Sequence, residues 1–200
     1  MCGREGRYGP LKAFFNKPAG RRRNGMPREK ERLDALDVAL DNEMKEREFY
    51  LANAKRTSNP LGKEMFQQIA DDELEHYERL KELHVQWEKN EAWPETLPLK
   101  VKGTAVKNVL DKVIKDQESM PPGDDDDLKA LRAAIAFEAK GIEFYRHLSE
   151  IVSDPREKQF FELLSNIEQE HYTSLKETEE LLTDPESWYR MKERHGFDGG

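Results

Sequence analysis

Cysteine is almost absent from this chain: Cys2 is the only one among 200 residues. No disulfide can form within the chain, and no four-cysteine zinc, iron–sulfur or mononuclear iron site can be built from it. A reducing, cytoplasmic setting is the expectation. Long apolar runs are missing as well, and nothing approaches the roughly 18 consecutive apolar residues of a bilayer-spanning helix, so no membrane is expected. Arg21-Arg22-Arg23 is reminiscent of an export signal, but no apolar core follows it and the protein is expected to stay unexported. Apolar residues are only 36% of the chain against 37% charged, a lean mixture that suits helices with one wet face. The net charge of −8 is uneven. Residues 1–35 carry ten Lys or Arg against four Asp or Glu, so this head is +6 and the remainder −14. An acidic body argues against nucleic acid as a partner.

What the chain does contain is a repeat. Shifting the sequence by 95 residues aligns positions 36–82 with 131–177 without a gap, and 18 of those 47 positions are identical. About three would coincide by chance. Each copy reads as two helices joined by a short turn, and the expected fold class is all-α: a ferritin-like four-helix bundle made of two duplicated helical hairpins joined by a long crossover.

The boundaries follow from periodicity and caps. Residues 1–27 are rich in Gly, Pro and Arg without sustained period and read as a disordered basic segment, with Met26 a candidate natural start. The bundle domain is expected over 28–200. A first helix runs from about Glu29 to Arg56, and Asn59 with Pro60 caps a second that reaches about Asn90. Residues 91–127 break the rhythm with Pro94, Pro98, Gly103, Pro121, Pro122 and Gly123, leaving room for a short helix near 105–116 inside the crossover. The acidic run 124–127 lacks the alternating ligands of a calcium loop and reads as a helix cap. A helix from about Asp127 to Val152 repeats the first. Asp154 and Pro155 cap another, which reaches about Leu182, and a short helix near 185–194 closes the chain. Trp188 matches Trp93 in the 95-residue register, and both are expected over bundle ends.

The apolar stripes carry acids. Glu43 and Glu138 sit among inward residues of the first helix of each hairpin, while Glu73 with His76 and Glu168 with His171 occupy the second. A Glu and a His three positions apart differ by about 60° around a helix and 4.5 Å along it, so both reach one point. Four unpaired buried carboxylates would each cost several kcal/mol, and two divalent ions remove that cost. One Glu from each of two helices plus Glu-x-x-His from each of the others is the donor pattern of di-iron and di-manganese carboxylate bundles. Oxygen and nitrogen donors suit iron, with manganese possible. Two such ions about 3.5–4 Å apart can take a small oxygen species between them. Glu73 and Glu168 are expected to bridge both ions, with Glu43 and Glu138 binding one each and His76 and His171 each completing the shell of one ion. Tyr50 and Tyr145, seven residues after Glu43 and Glu138, share their face and can hydrogen-bond a ligating carboxylate. Packing with a satisfied hydroxyl and redox participation are both open to them. Tyr77 and Tyr172 read as core, and Asp72, Glu75 and Glu78 as surface charge.

Glu43 with Phe49-Tyr50, Glu73 with His76, Glu138 with Phe144-Tyr145 and Glu168 with His171 resemble the rubrerythrin branch of the ferritin-like superfamily, over roughly residues 29–182. The resemblance implies a di-iron oxidoreductase whose reduced metal pair gives two electrons to hydrogen peroxide and yields water, in oxidative-stress defence. Dioxygen-driven iron oxidation is another activity it allows. Rubrerythrins also carry a four-cysteine rubredoxin domain, missing here, so electrons are expected from a separate donor protein such as a rubredoxin. They place a second carboxylate one turn after the equivalent of Glu138, where this chain has Gly141. Glu46, at the corresponding place in the other half, either supplies that carboxylate as a metal ligand or lies on the surface. The competing readings are a non-catalytic iron-binding, buffering or sensing protein and a ferroxidase serving iron storage. A homodimer is expected.

Overall fold

The computed structural model describes residues 29–89, 103–116 and 121–197. These residues form six helices: α1 (Glu29–Arg56), α2 (Pro60–Glu88), α3 (Val106–Asp116), α4 (Asp125–Ile151), α5 (Pro155–Thr183) and α6 (Pro185–Phe197). No strand occurs among the described residues. The all-α, ferritin-like bundle is therefore as the repeat implies. The basic segment 1–27 and Trp93 lie outside the described residues.

Local chemistry sets the turns. Asn59 Oδ1 accepts from the Leu61 and Gly62 amides at 3.0 and 3.1 Å, and Pro60 needs no partner at the first helical position. The Asn59 side chain also donates to the Pro121 carbonyl at 3.1 Å, which ties the first hairpin's turn to the end of the crossover. Asp124 Oδ1 takes the Asp127 amide at 2.7 Å, so the acidic run is a cap and α4 begins two residues earlier than its periodicity suggests. Asp154 does the same for α5 through the Arg156 amide at 2.8 Å.

Each hairpin packs closely on itself, α1 on α2 and α4 on α5, and the two meet with α1 against α4 and α2 against α5. Two apolar clusters result. One gathers Tyr50, Ala54, Leu61, Met65, Phe66 and Ile69 with Leu131, Ala134, Leu175 and Leu182. The other gathers Leu36, Ala39, Leu80 and Leu83 with Tyr145, Phe160, Phe161 and Leu164. Residues early in α1 thus meet residues late in α4, and the reverse, so facing helices run antiparallel.

The crossover helix α3 lies on α2 and α5. Its Val106 and Leu110 share the first cluster with Trp188 of α6, so this tryptophan is buried beneath the crossover. Tyr77 and Tyr172 are only half-buried, which corrects their assignment to the core. Four residues past Glu73 turns about 40° one way, whereas His76 turns about 60° the other, so Tyr77 is left at the edge of the stripe. No helix among the described residues is long and apolar enough to cross a membrane.

Candidate metal centre

Between the two apolar clusters lies a layer of acid and imidazole. Glu43, Glu73, Glu138, Glu168, His76 and His171 are all buried, none more than 3% exposed. Such groups are not placed in a core for hydrophobic gain, and each needs a partner there.

The structure brings these six together in two overlapping groups. Donor atoms of Glu43, Glu73, His76 and Glu168 all lie within 4.8 Å of one another, as do those of Glu73, Glu138, Glu168 and His171. Glu73 and Glu168 belong to both. His76 Nδ1 lies 3.1 Å from Glu73, 3.3 Å from Glu43 and 3.3 Å from Glu168. His171 Nδ1 lies 3.5 Å from Glu138, 3.6 Å from Glu73 and 3.7 Å from Glu168. The two imidazoles face each other with ring centres 6.0 Å apart.

The donors point at something the protein itself does not supply. Glu43 Oε2, Glu73 Oε1, Glu138 Oε2, Glu168 Oε2 and His171 Nδ1 are buried without a hydrogen-bond partner. Orphaned buried acceptors are rare and costly, and here they converge. The opposite carboxylate oxygens are held: the Tyr50 hydroxyl donates to Glu138 Oε1 and the Tyr145 hydroxyl to Glu43 Oε1. Each tyrosine thus serves the acid of the other hairpin. A carboxylate with one oxygen fixed and one bare could ligate a metal without reorienting. Four carboxylates and two imidazoles without sulfur form a donor set suited to iron or manganese, so the residues present fit a metal pair.

Electrostatics without an ion tell the same story. Burial, then Glu168 and Glu43, push the Glu73 carboxyl well above the usual range. Burial and Glu168 push Glu138 up to about 8. Burial opposes the charge on Glu168, but the close approach of Glu138, His171 and His76 overrides it and holds this acid well below its ordinary value. Burial likewise opposes protonation of the imidazoles, yet the neighbouring Glu168 and Glu43 carboxylates raise His76, and Glu138 and Asp72 raise His171. Burial and the facing glutamates keep Tyr50 and Tyr145 protonated, raised well above the usual phenol. Without an ion, protons on the raised carboxyls offset part of the layer's negative charge.

Glu46 belongs to neither donor group. It is half-buried and lines a small recess with Asn42, Glu43, Lys140, Gly141, Phe144, Tyr145 and Glu168. Burial and the charges of Glu138, Glu43 and Glu168 push its carboxyl up as well. Opposite it, Gly141 leaves Glu168 uncrowded: a Cβ there would stand 3.3 Å from the Glu168 Cγ and Cδ.

Asp72, read from the sequence as surface charge, is instead a partner of the site. Its Oδ2 lies 3.1 Å from His171 Nε2, and its side chain is 14% exposed. The signal was present in the repeat, because the position 95 residues on is Ile167, which is buried. A position apolar in one half is not plain surface in the other.

Fold and site together define a helical bundle with a buried, carboxylate-rich layer that could hold metal. The rubrerythrin family profile matches residues 34–179, and the chain belongs to that family. No curated protein and no solved structure matches it. Rubrerythrins bind iron and are generally associated with oxidative stress, and this chain carries buried carboxylate and imidazole groups that could hold a metal.

Proposed function

We propose that the chain is a di-iron oxidoreductase that reduces hydrogen peroxide, with electrons from a separate donor protein such as a rubredoxin. The observation that carries the proposal is the pair of donor groups sharing Glu73 and Glu168, with their bare oxygens turned inward. In this reading Glu43, Glu73, His76, Glu138, Glu168 and His171 would hold two ions, in two groups that share Glu73 and Glu168. Bound and reduced, an iron pair supplies the two electrons that, with two protons, convert one peroxide to two waters.

The protein's own part is to orient, shield and protonate. Tyr50 and Tyr145 hold the outer oxygens of Glu138 and Glu43, so neither acid can turn away from the centre. Phe66 and Ile69 on one side and Phe161 and Leu164 on the other exclude bulk water. The recess beside Gly141 reaches Glu43 and Glu168 from between α1 and α4. Glu46 lines that recess beside Glu43 and Glu168, where it could serve as a proton source or as a further ligand.

Stopped-flow mixing of the reduced, iron-loaded protein with peroxide and, separately, with dioxygen tests the reading. Reoxidation at least tenfold faster by peroxide than by dioxygen, repeated when reductant is resupplied, is the expected result. Stable reduced protein in the presence of peroxide would mean a metal holder without turnover, and faster reaction with dioxygen would mean a ferroxidase.

A further inference from the structure

The duplication gives the two halves the same metal-directed residues, but not the same surroundings. Around His171 the structure builds a polar chain. Asp72 Oδ2 lies 3.1 Å from His171 Nε2 and accepts from Thr104 Oγ1 at 2.6 Å, while Asp72 Oδ1 accepts from Gln68 Nε2 at 3.0 Å. Thr104 in turn accepts the Val106 amide at 3.1 Å, which places it at the start of the crossover helix. The carboxylate can only accept, so the proton between Asp72 and His171 belongs to Nε2, and Nδ1 is the nitrogen turned toward the acids. That Nδ1 is buried, lacks a hydrogen-bond partner and faces Glu73, Glu138 and Glu168.

The 95-residue register does not repeat this carboxylate for His76. In the 95-residue register Gln68 becomes Leu163 and Asp72 becomes Ile167, neither of which offers an acceptor. Both lie in or against the second apolar cluster. The halves share Glu and His donors and differ in what stands behind the imidazole.

We propose that Asp72 is a positioning residue that makes the two ion positions unequal, so that the one served by His171 binds more tightly and fills first. The proposal rests on the two-ion reading of the centre. A carboxylate behind a ligating imidazole fixes its tautomer and ring orientation and raises its basicity; losing such a partner typically costs about 10–100-fold in metal affinity. Thr104 carries the arrangement into the crossover, so the segment joining the hairpins also sets the strength of one metal position.

Anaerobic calorimetric titration of the metal-free full chain with ferrous iron tests this, using Asp72→Ile to copy Ile167. The parent is expected to take up two ions in steps separated by about 10–100-fold. Asp72→Ile should weaken the tighter step by that factor and leave the weaker one in place, bringing the two together. Thr104→Val, which keeps the carboxylate but removes its hydroxyl donor, should weaken the same step by less. In the zinc-loaded parent, a slowly exchanging Nε2 proton assigned to His171 by nitrogen-15 NMR is expected, a readout that needs no variant to fold. Unchanged steps in both variants, equal weakening of both steps, or an Nε2 proton that exchanges freely would overturn the proposal. A parent that binds fewer than two ions would instead remove the reading beneath it.

Discussion

Glu138→Gln should act in opposite directions on the metal-free and metal-loaded protein. The substitution keeps the size of the side chain and an oxygen for the Tyr50 hydroxyl. It removes one acid from a layer in which Glu138 titrates at about 8 against an ordinary 4.5. A carboxyl raised on folding keeps its proton in the folded protein at pH values where the unfolded chain has lost it. Stability therefore falls as pH rises from about 4.5 to 8 and levels off above. Each pH unit in that window is worth at most about 1.4 kcal/mol, a ceiling near 5 kcal/mol.

The protons are shared with Glu73 and Glu46, whose carboxyls are also raised, which brings the gain from Gln to on the order of 2 kcal/mol. For a chain of this length, that is about 4–8 °C in melting temperature. Urea and thermal melts in chelator should show no difference between parent and variant near pH 4.5, a growing advantage for Gln up to about pH 8, and a plateau beyond. With iron or manganese added at pH 7 the order should reverse, because the ions lose a charged ligand. A Gln variant less stable than the parent in chelator at pH 8.5, or equally stabilised by metal, would refute the reasoning.

Further outcomes follow from the same geometry. Saturating metal at about 100 times its dissociation constant should stabilise the parent by roughly 2.7 kcal/mol per ion, read as a chelator-reversible rise in melting temperature. Tyr50→Phe or Tyr145→Phe leaves a buried carboxylate oxygen without its donor and should cost about 1–3 kcal/mol in urea melts, since each hydroxyl serves the facing hairpin's acid. Gly141→Ala adds a methyl 3.3 Å from Glu168. Calorimetry should find weaker metal binding, while metal-free melts show little loss because alanine favours the helix by about 1 kcal/mol.

The repeat alone carried much of the structure. A gapless 95-residue register with Asn59-Pro60 and Asp154-Pro155 at matching turns specifies two hairpins, and the inward phase of Glu43, Glu73, His76 and their twins follows from helical spacing. What helical phase could not reveal was the partner across the bundle. Tyr50 shares a face with Glu43, yet its hydroxyl bonds Glu138, because antiparallel facing of α1 and α4 sets it beside the other hairpin's acid. Asp72 points away from its own helix's stripe and towards His171, on a helix brought alongside only by folding. Glu46 stands one turn from Glu43 and could be placed neither at the metal nor at the surface without knowing how α4 packs; it lines the recess opposite Gly141. Each of these depends on tertiary neighbours, whereas the ligand face depends on one helix at a time.

Anomalous diffraction at the iron edge, on crystals of the iron-loaded chain, tests most directly whether six side chains hold a pair of ions. Two peaks are expected, both in contact with Glu73 and Glu168, one beside Glu43 and His76 and the other beside Glu138 and His171. A single peak, or iron bound away from this layer, would contradict it.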